Sequence, residues 1–262
     1  MKKGAEVVAK LLLSFFIIQI LGLYIGIQYV GAGLSITENP QDIGNAFIFL
    51  GYVIGGAIFM LLLIKFFKKR LLFLILEGMV IFTSTVLVSS VFVDELPAVL
   101  FGIAMVVGRH LNKDVKFVAT AIACIGVGAL MGSSMGVLPA ALFALGLSAY
   151  DLIAVFGTKH MITMAKEFSE KDLAFSLRIG EKGRVVGKER VGIELGTGDI
   201  VVPIMLSVSL YADSLNVLKS MGAVVGATIG LLFVVYIVVQ KRGYLPALPP
   251  IVILCLVGSV LF

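Results

Sequence analysis

Apolar runs separated by short polar turns divide almost the whole 262-residue chain. A helix needs roughly 20 apolar residues to cross the hydrocarbon of a bilayer, and nine runs meet or approach that length. The pattern therefore predicts an all-α membrane protein with nine transmembrane helices. The fourth run reaches only ~21 Å as a helix, so we expect its neighbours to shelter it. The predicted spans are residues 7–31, 44–66, 71–92, 96–109, 115–137, 139–160, 197–216, 219–239 and 245–262.

The composition excludes a water-soluble protein. Hydrophobic residues make up 60% of the chain and charged residues 14%, whereas soluble domains contain about 25% charged residues. The net charge of +5 does not indicate a nucleic-acid partner, because the charges stand at the ends of the apolar runs. Cys124 and Cys255 lack metal-binding or redox spacing and are interpreted as buried, inert thiols. We expect a multi-pass protein of the cell membrane, without a cofactor or a bound metal.

The basic residues predict the orientation of the spans. All of the 21 Lys and Arg residues except Lys219 fall at the N-terminus or in alternate turns, and basic residues favour the cytoplasmic side of a membrane. The predicted topology therefore places the N-terminus inside and the C-terminus outside. The opposite turns contain the acidic residues Glu38, Asp42, Asp94, Glu95 and Asp213.

Four groups of glycines have the four-residue spacing that lets transmembrane helices approach each other closely. We predict that each group forms a helix–helix contact. The groups are Gly22 with Gly26, Gly51 with Gly55, Gly128 with Gly132, and Gly222 with Gly226 and Gly230.

Residues 161–195 form the only long polar connection, between the sixth and seventh runs. Within it, residues 163–177 have apolar positions at helical spacing, which predicts an amphipathic helix on the inner membrane surface. The segments 184–186 and 190–195 are predicted to be two strands joined by a turn. Such a hairpin would present an edge just before Gly196. A solvated, flexible loop is the alternative structure for this segment.

Two aspartates lie within the apolar runs. Asp151 stands inside the sixth run, and Asp199 is near the start of the seventh. Ionisable groups in hydrocarbon are costly, which makes each aspartate a candidate functional residue. Asp151 precedes Lys159 by about 12 Å of helix and Asp199 follows Glu194 by about 7.5 Å, so both reach a similar depth. Because the two runs are antiparallel, we predict that the carboxyl groups meet in the inner half of the bilayer.

Two close carboxyl groups in a medium of low dielectric share one proton. The ionised member can activate water as a base, and the protonated member can donate to a leaving amide nitrogen. The pair therefore predicts hydrolysis of peptide bonds without a metal or a covalent intermediate. Gly196 and Gly198 allow close approach of a substrate and an unwound first turn. Pro246-Ala247-Leu248 would form a rigid wall of a substrate groove if it lay near the aspartates.

Three short motifs resemble those of one protein family. Tyr150-Asp151, Gly196-Thr197-Gly198-Asp199 and Pro246-Ala247-Leu248 are similar, in this order, to motifs of the presenilin and signal peptide peptidase family of GxGD intramembrane aspartyl proteases. The absence of long extensions leads us to expect a prokaryotic or archaeal presenilin-like homologue. We divide the chain into a scaffold of five helices, residues 1–137, and a catalytic part, residues 138–262.

The resemblance implies the site and the substrate. Asp151 and Asp199 would be the catalytic pair. Substrates would be single transmembrane helices, of type I in the predicted orientation, that unwind and add a strand to the hairpin edge. Self-cleavage of the loop and formation of a homo-oligomer stay open. The residues that would shape the active site are Tyr150, Gly196, Gly198, Pro246, Ala247 and Leu248.

Other functions are weighed against this one. A proton- or cation-coupled transporter is the main alternative, because paired buried acids also serve proton relays. The odd span number, the missing repeat and the lack of an intramembrane basic partner disfavour it, and a non-enzymatic scaffold is a third reading. Residues 132–136 fit the G-x-S-x-G nucleophile pattern, but the nearest histidine, His110, is expected on the opposite side. Glu77, the third intramembrane acid, is expected to hydrogen-bond or face the cavity rather than to be catalytic.

Overall fold

Nine α-helices and a two-stranded sheet are found in the computed structural model, which describes residues 2–66, 70–157, 176–180, 192–241 and 246–261. Each predicted apolar run contains one of these helices. A π-helical turn, Ile153–Gly157, continues the sixth helix. The elements are α1 (Lys2–Gly31), α2 (Gly44–Phe66), α3 (Arg70–Ser89), α4 (Glu95–Leu111), α5 (Lys113–Ser133), α6 (Val137–Leu152), β1 (Ser176–Gly180), β2 (Gly192–Gly196), α7 (Thr197–Ser214), α8 (Val217–Lys241) and α9 (Leu248–Leu261).

Six of the described helices are long and apolar enough to cross a membrane. The other three are α4 with 17 residues, α9 with 14 residues, and α7, which contains two aspartates. The count of nine spans therefore stays a prediction. The expected shelter of α4 covers one of its faces only: α3 and α5 pack against it, while Leu96, Leu100 and Leu111 are exposed.

Helix α7 lies at the centre of the bundle. Ile200 and residues 202–210 are all buried, and α1, α5, α6, α8 and α9 pack around them. A helix enclosed by protein does not contact lipid, so its composition can include polar groups whose hydrogen bonds are made internally. The hydroxyl groups of Ser207 and Ser209 donate to backbone carbonyls of their own helix, at 2.9 and 3.0 Å. Enclosure therefore allows the helix that carries Asp199 to contain polar side chains.

Two glycines of α1 allow this helix to lie against α7. A Cβ atom added to Gly22 would lie 2.6 Å from the side chain of Ile204, and one added to Gly26 would overlap Val208. Because the later glycine meets the later residue of α7, the two helices run in the same direction. The predicted contact at this glycine pair is confirmed.

The glycines of α5 approach α7 from another side. A Cβ atom on Gly128 would lie 2.8 Å from Ile204, and one on Gly132 would lie 2.6 Å from Val208. The third group, on α8, approaches the backbone of α9, where a Cβ atom on Gly230 would lie 2.7 Å from the Cα atom of Ile251. Both of these predicted contacts are confirmed.

The fourth glycine pair does not form the predicted contact. Added Cβ atoms on Gly51 and Gly55 would meet nothing within 4 Å among the described residues. Helix α2 packs against α6 through a different position, where Leu50 lies against Gly146. Glycine spacing alone does not specify which face of a helix is turned toward the protein, which is why this prediction was wrong.

The G-x-S-x-G segment joins the first loop to the turn between α5 and α6. The Ser134 hydroxyl accepts a hydrogen bond from the backbone N–H of Ile36, at 2.8 Å, and donates to the carbonyl of Leu130, at 2.6 Å. The N–H of Gly136 donates to the carbonyl of Pro40, at 2.7 Å. The Ser134 hydroxyl therefore anchors the first loop, and this role does not favour Ser134 as a nucleophile.

Glu77 forms a buried ion pair. Its Oε1 atom lies 2.5 Å from Nη1 of Arg109, and both side chains are at most 3% exposed. The sequence placed Arg109 among the basic residues of an inner turn, but the structure buries its guanidinium group between α3 and α4. A long arginine side chain can reach back from a helix end to a buried carboxylate, which spacing along the sequence does not reveal.

The hairpin before α7 differs in part from the prediction. β1 (Ser176–Gly180) pairs with β2 (Gly192–Gly196) in antiparallel register, so the predicted strand at 190–195 is confirmed in its main part. The predicted strand at 184–186 lies outside the described residues, and β1 is the strand that pairs with β2. The predicted helix over 163–177 was wrong at its end, since residues 176–177 belong to β1; its earlier residues are not described. Leu177-Arg178-Ile179 alternates apolar and polar residues, which favours a strand.

We predict that Gly26→Ala destabilises the protein while Gly55→Ala does not. The added methyl group at position 26 would overlap Val208, and overpacking typically costs about 1–3 kcal/mol. At position 55 the methyl group meets open space, and alanine favours a helix over glycine by about 1 kcal/mol. The thermal unfolding midpoints of both variants in detergent test this, and equal midpoints would contradict it.

Arg109→Met is expected to lower the stability by about 3–5 kcal/mol, because it leaves a buried carboxylate without its guanidinium partner. The double variant Glu77→Leu with Arg109→Met replaces both charges by apolar groups and should recover most of this loss. Thermal unfolding of the two variants and of the wild type is the measurement. A double variant as unstable as the single one would show that the ion pair is not the source of the effect.

Candidate active site

Asp199 lies at the point where the hairpin becomes a helix. Gly196 ends β2 with extended backbone angles, φ −64° and ψ 144°, and α7 begins at Thr197. The backbone N–H of Gly196 donates to the Asp199 carboxylate, and a Cβ atom on Gly196 would lie 3.1 Å from Oδ2. A side chain at the third helical position that returns to the N-cap N–H is a known way to satisfy a helix start. The first turn is thus helical, not unwound as the sequence suggested.

Asp151 lies in the last turn of α6, which ends at Leu152. The residue is buried, and the backbone N–H groups of Ala247 and Leu248 donate to its carboxylate. Pro246 and Ala247 are not helical, and α9 begins at Leu248. The first N–H groups of a helix lack internal partners and carry a partial positive charge, so the start of α9 stabilises negative charge on Asp151. The sequence predicted a wall of the substrate groove at Pro246-Ala247-Leu248, and this stays a prediction; the hydrogen bonds from Ala247 and Leu248 to Asp151 were not foreseen.

The two aspartates lie near each other, on α6 and α7. Helices α6 and α7 pack against each other, and α9 packs against both. The charge of Asp151 acts on Asp199. Asp151 Oδ2 has no hydrogen-bond partner among the residues that the structure describes, and Asp199 is partly exposed. The three sequence motifs, which are far apart along the chain, are therefore brought together around the two carboxyl groups.

The remaining residues predicted to shape the site lie around this pair. Tyr150 is half-buried beside Asp151. Gly198 is exposed, and no atom of the described residues lies within 4 Å of an added Cβ. The π-helical turn Ile153–Gly157 begins two residues after Asp151, and such turns are frequent at functional sites. The sequence did not reveal this turn.

Two contacts from the first five helices were missed by the sequence reasoning. The side-chain amide of Gln19, on α1, donates to the carbonyl of Ile200 at 3.0 Å. The thiol of Cys124, on α5, lies 4.0 Å from the carbonyl of Thr197. An uncharged amide inside an apolar run is a recognisable signal of an interhelical hydrogen bond, and Gln19 could have been found in this way. No such signal marks Cys124.

Other titratable groups are not part of the carboxyl pair. Glu77 pairs with Arg109 between α3 and α4. His110 is exposed, and His160 lies outside the described residues. Among the residues described, no group of three or more His, Cys, Asp and Glu side chains could hold a metal ion. The chemistry available at the pair is therefore that of two carboxyl groups and backbone N–H donors, which suits activation of water and protonation of a leaving group.

Comparisons with known proteins give a consistent result. The sequence model of the family described as "Signal-peptide peptidase, presenilin aspartyl protease" matches residues 12–261. Among curated proteins, none matches the chain. Two solved structures with similar folds are both described as structures of a presenilin family intramembrane aspartate protease. One, in the C222 space group, has a TM-score of 0.72 and 21% sequence identity and covers 97% of each chain.

The second structure, in the P2 space group, has a TM-score of 0.68 and 22% sequence identity. The match covers 95% of this chain and 94% of that one. At this identity the likeness shows the fold, which is presenilin-like over nearly the full length of the chain.

We predict that Ala247→Pro slows hydrolysis while Ala247→Gly does not. Proline lacks the N–H group that donates to Asp151, and loss of one hydrogen bond to a charged group costs roughly ten- to hundredfold in rate. Glycine keeps this donor and removes only a methyl group. The rate of peptide hydrolysis by the purified variants in detergent is the measurement, and equal rates for the two variants would contradict the role of this donor.

Proposed function

Because the chain belongs to the signal-peptide peptidase and presenilin aspartyl protease family, we propose that it hydrolyses peptide bonds within transmembrane helices of membrane-protein substrates. The observation that carries this proposal is the pairing of Asp151 and Asp199 across α6 and α7, at the N-terminus of α9. A carboxyl pair enclosed by helices offers acid–base chemistry at the depth of a transmembrane substrate, which the active site of a water-soluble protease does not reach.

Asp151 is the proposed base. The N–H groups of Ala247 and Leu248 stabilise its negative charge. Its Oδ2 atom, which has no hydrogen-bond partner among the described residues, is the atom that we propose accepts a proton from water. The resulting hydroxide attacks the carbonyl carbon of the scissile peptide bond. Asp199, in its protonated form, donates its proton to the amide nitrogen as the C–N bond breaks. The products are a carboxylic acid and an amine, and the pair returns to its initial state when the proton moves from Asp151 to Asp199.

The glycines beside Asp199 are proposed to admit the substrate backbone. Gly198 is exposed, and an added Cβ would meet nothing within 4 Å among the described residues, so we assign this position beside the carboxylate to the extended substrate backbone. A side chain at Gly196 would crowd Asp199, because an added Cβ would lie 3.1 Å from Oδ2. The two glycines thus serve different purposes: one leaves space for the substrate and the other lets the carboxylate return to the N-cap.

The hairpin is proposed to align the unwound substrate. β1 pairs with one edge of β2, with Ser176 as the register partner of Gly196, and the described sheet has two strands. A peptide that adds to the other edge of β2 would gain main-chain hydrogen bonds. Since β2 ends directly at α7, this strand would lead the scissile bond toward Asp199.

The proposed setting is the cell membrane, with nine spans, the N-terminus inside and substrates of type I orientation. The parallel packing of α1, α5 and α7, read from their glycine contacts, supports the numbering of these helices as spans one, five and seven, because odd-numbered spans must run in the same direction. The transporter alternative gains no support, since the buried arginine pairs with Glu77 and not with either aspartate.

We expect Asp151→Asn and Asp199→Asn each to lower the rate of cleavage of a single-span substrate by about 10²–10⁴-fold, which is the range for loss of a general acid or base. The variants should keep the thermal unfolding midpoint of the wild type or exceed it. Asp213→Asn is the matched control, because Asp213 belongs to the same helix but lies at its far end; it should cleave normally. Products are measured by mass spectrometry after incubation in detergent. Near-normal cleavage by either of the first two variants would refute the proposed pair.

A further inference from the structure

The turn that carries Asp199 lacks one of the hydrogen bonds that normally hold a helix together. In a regular helix the carbonyl of residue 199 accepts from the N–H of residue 203. Residue 203 is a proline and has no N–H group. The first turn of α7 is therefore attached to the rest of the helix by fewer bonds than an ordinary first turn, and its position depends more on contacts from outside the helix.

Gln19 supplies such a contact. Its side chain is fully buried on α1, and Nε2 donates to the carbonyl of Ile200 at 3.0 Å. Ile200 follows Asp199 directly, so the bond reaches the same turn that carries the carboxylate. Three and seven residues further along α1, Gly22 and Gly26 bring the two helices into contact. The hydrogen bond is therefore the continuation of a close, ordered helix contact.

Packing alone does not account for a glutamine at this place. An apolar side chain of similar volume would fill the space without burying an amide, and a buried polar group is costly unless it is hydrogen-bonded. The Oε1 atom of Gln19 is buried and has no partner within the described chain. The Oε1 atom of Gln19 is therefore in an unfavourable environment, while Nε2 donates to the carbonyl of Ile200.

A second contact reaches the turn from another helix. Cys124, on α5, is buried with its sulfur 4.0 Å from the carbonyl of Thr197. The carbonyls of Thr197 and Ile200 flank Asp199 along the turn, and α1 and α5 both pack against α7. The carboxylate is thus carried by a segment that is contacted from two sides by helices outside the carboxyl pair.

We propose that Gln19 is a positioning residue for peptide hydrolysis: by binding the carbonyl of Ile200 it fixes the first turn of α7 and hence the direction in which Asp199 faces Asp151. This inference rests on the proposed function. Gln19 does not touch the reacting atoms and acts through the helix turn. Misplacement of a reacting group by about 1 Å can cost roughly a hundredfold in rate, so one bond that locates the turn has a large effect on the rate.

The test compares two substitutions at this position. Gln19→Met keeps the shape of the side chain and removes the N–H donor; we expect kcat to fall by roughly ten- to hundredfold with little change in KM. Gln19→Glu can donate to the carbonyl only through a protonated carboxyl group. Its rate relative to the wild type should therefore rise as the pH is lowered, whereas the relative rate of Gln19→Met should stay constant. Both are measured with a purified single-span substrate in detergent.

Thr85→Val is the control for the loss of a buried hydrogen bond in general. Thr85 is buried on α3 and donates to Ile81 of its own helix, so this variant should retain the wild-type kcat. A Gln19→Met enzyme with kcat within twofold of the wild type overturns the proposal. So does a Gln19→Glu enzyme whose relative rate does not depend on pH, including one that is inactive at every pH.

The wild type and Asp199→Asn are assayed in parallel to separate the two proposals. If the wild type does not cleave, or if Asp199→Asn cleaves as well as the wild type, the proposed function fails. If the wild type cleaves, Asp199→Asn does not, and Gln19→Met is as fast as the wild type, only the positioning role of Gln19 fails.

Discussion

The cost of placing a carboxylate in hydrocarbon is the constraint on which this structure depends. Asp199 belongs to α7, and five other helices pack around α7. These helices lie between the carboxylate and the lipid. The surrounding helices must approach α7 closely to enclose it. Glycines on α1 and α5 allow this, because both helices lie against the same two side chains of α7, Ile204 and Val208. The placement of Asp199 therefore depends on the same apolar packing that holds the bundle together.

Much of this arrangement could be predicted from the sequence because it depends on local pattern. Long apolar runs specify helices whatever their neighbours are, and each run contains a helix. Small residues at four-residue spacing predicted three of four helix contacts. The acids stood out because charge is rare in such runs, and the motifs around Asp151, Asp199 and Pro246 resembled one family, whose sequence model matches the chain.

The remaining features depend on which faces of the helices meet, and no local pattern specifies this. The pairing of Glu77 with Arg109 and of Gln19 with Ile200 joins residues from different helices. The exposure of Gly51 and Gly55 reflects how α2 is turned. The partner strand of β2 was misplaced because apolar residues at the end of a segment fit both a helix and a strand. The hydrogen bonds to Asp151 come from backbone N–H groups. Every residue except proline has such a group, so no residue type in the sequence indicates which ones will donate.

The origin of those backbone donors has a consequence for biosynthesis. Both aspartates are translated before residue 200, but the N–H groups that stabilise the charge of Asp151 belong to Ala247 and Leu248, close to the C-terminal end of the chain. These donors are added to the growing chain only after both acids, so the environment of Asp151 is completed by a segment that is synthesised later than either aspartate.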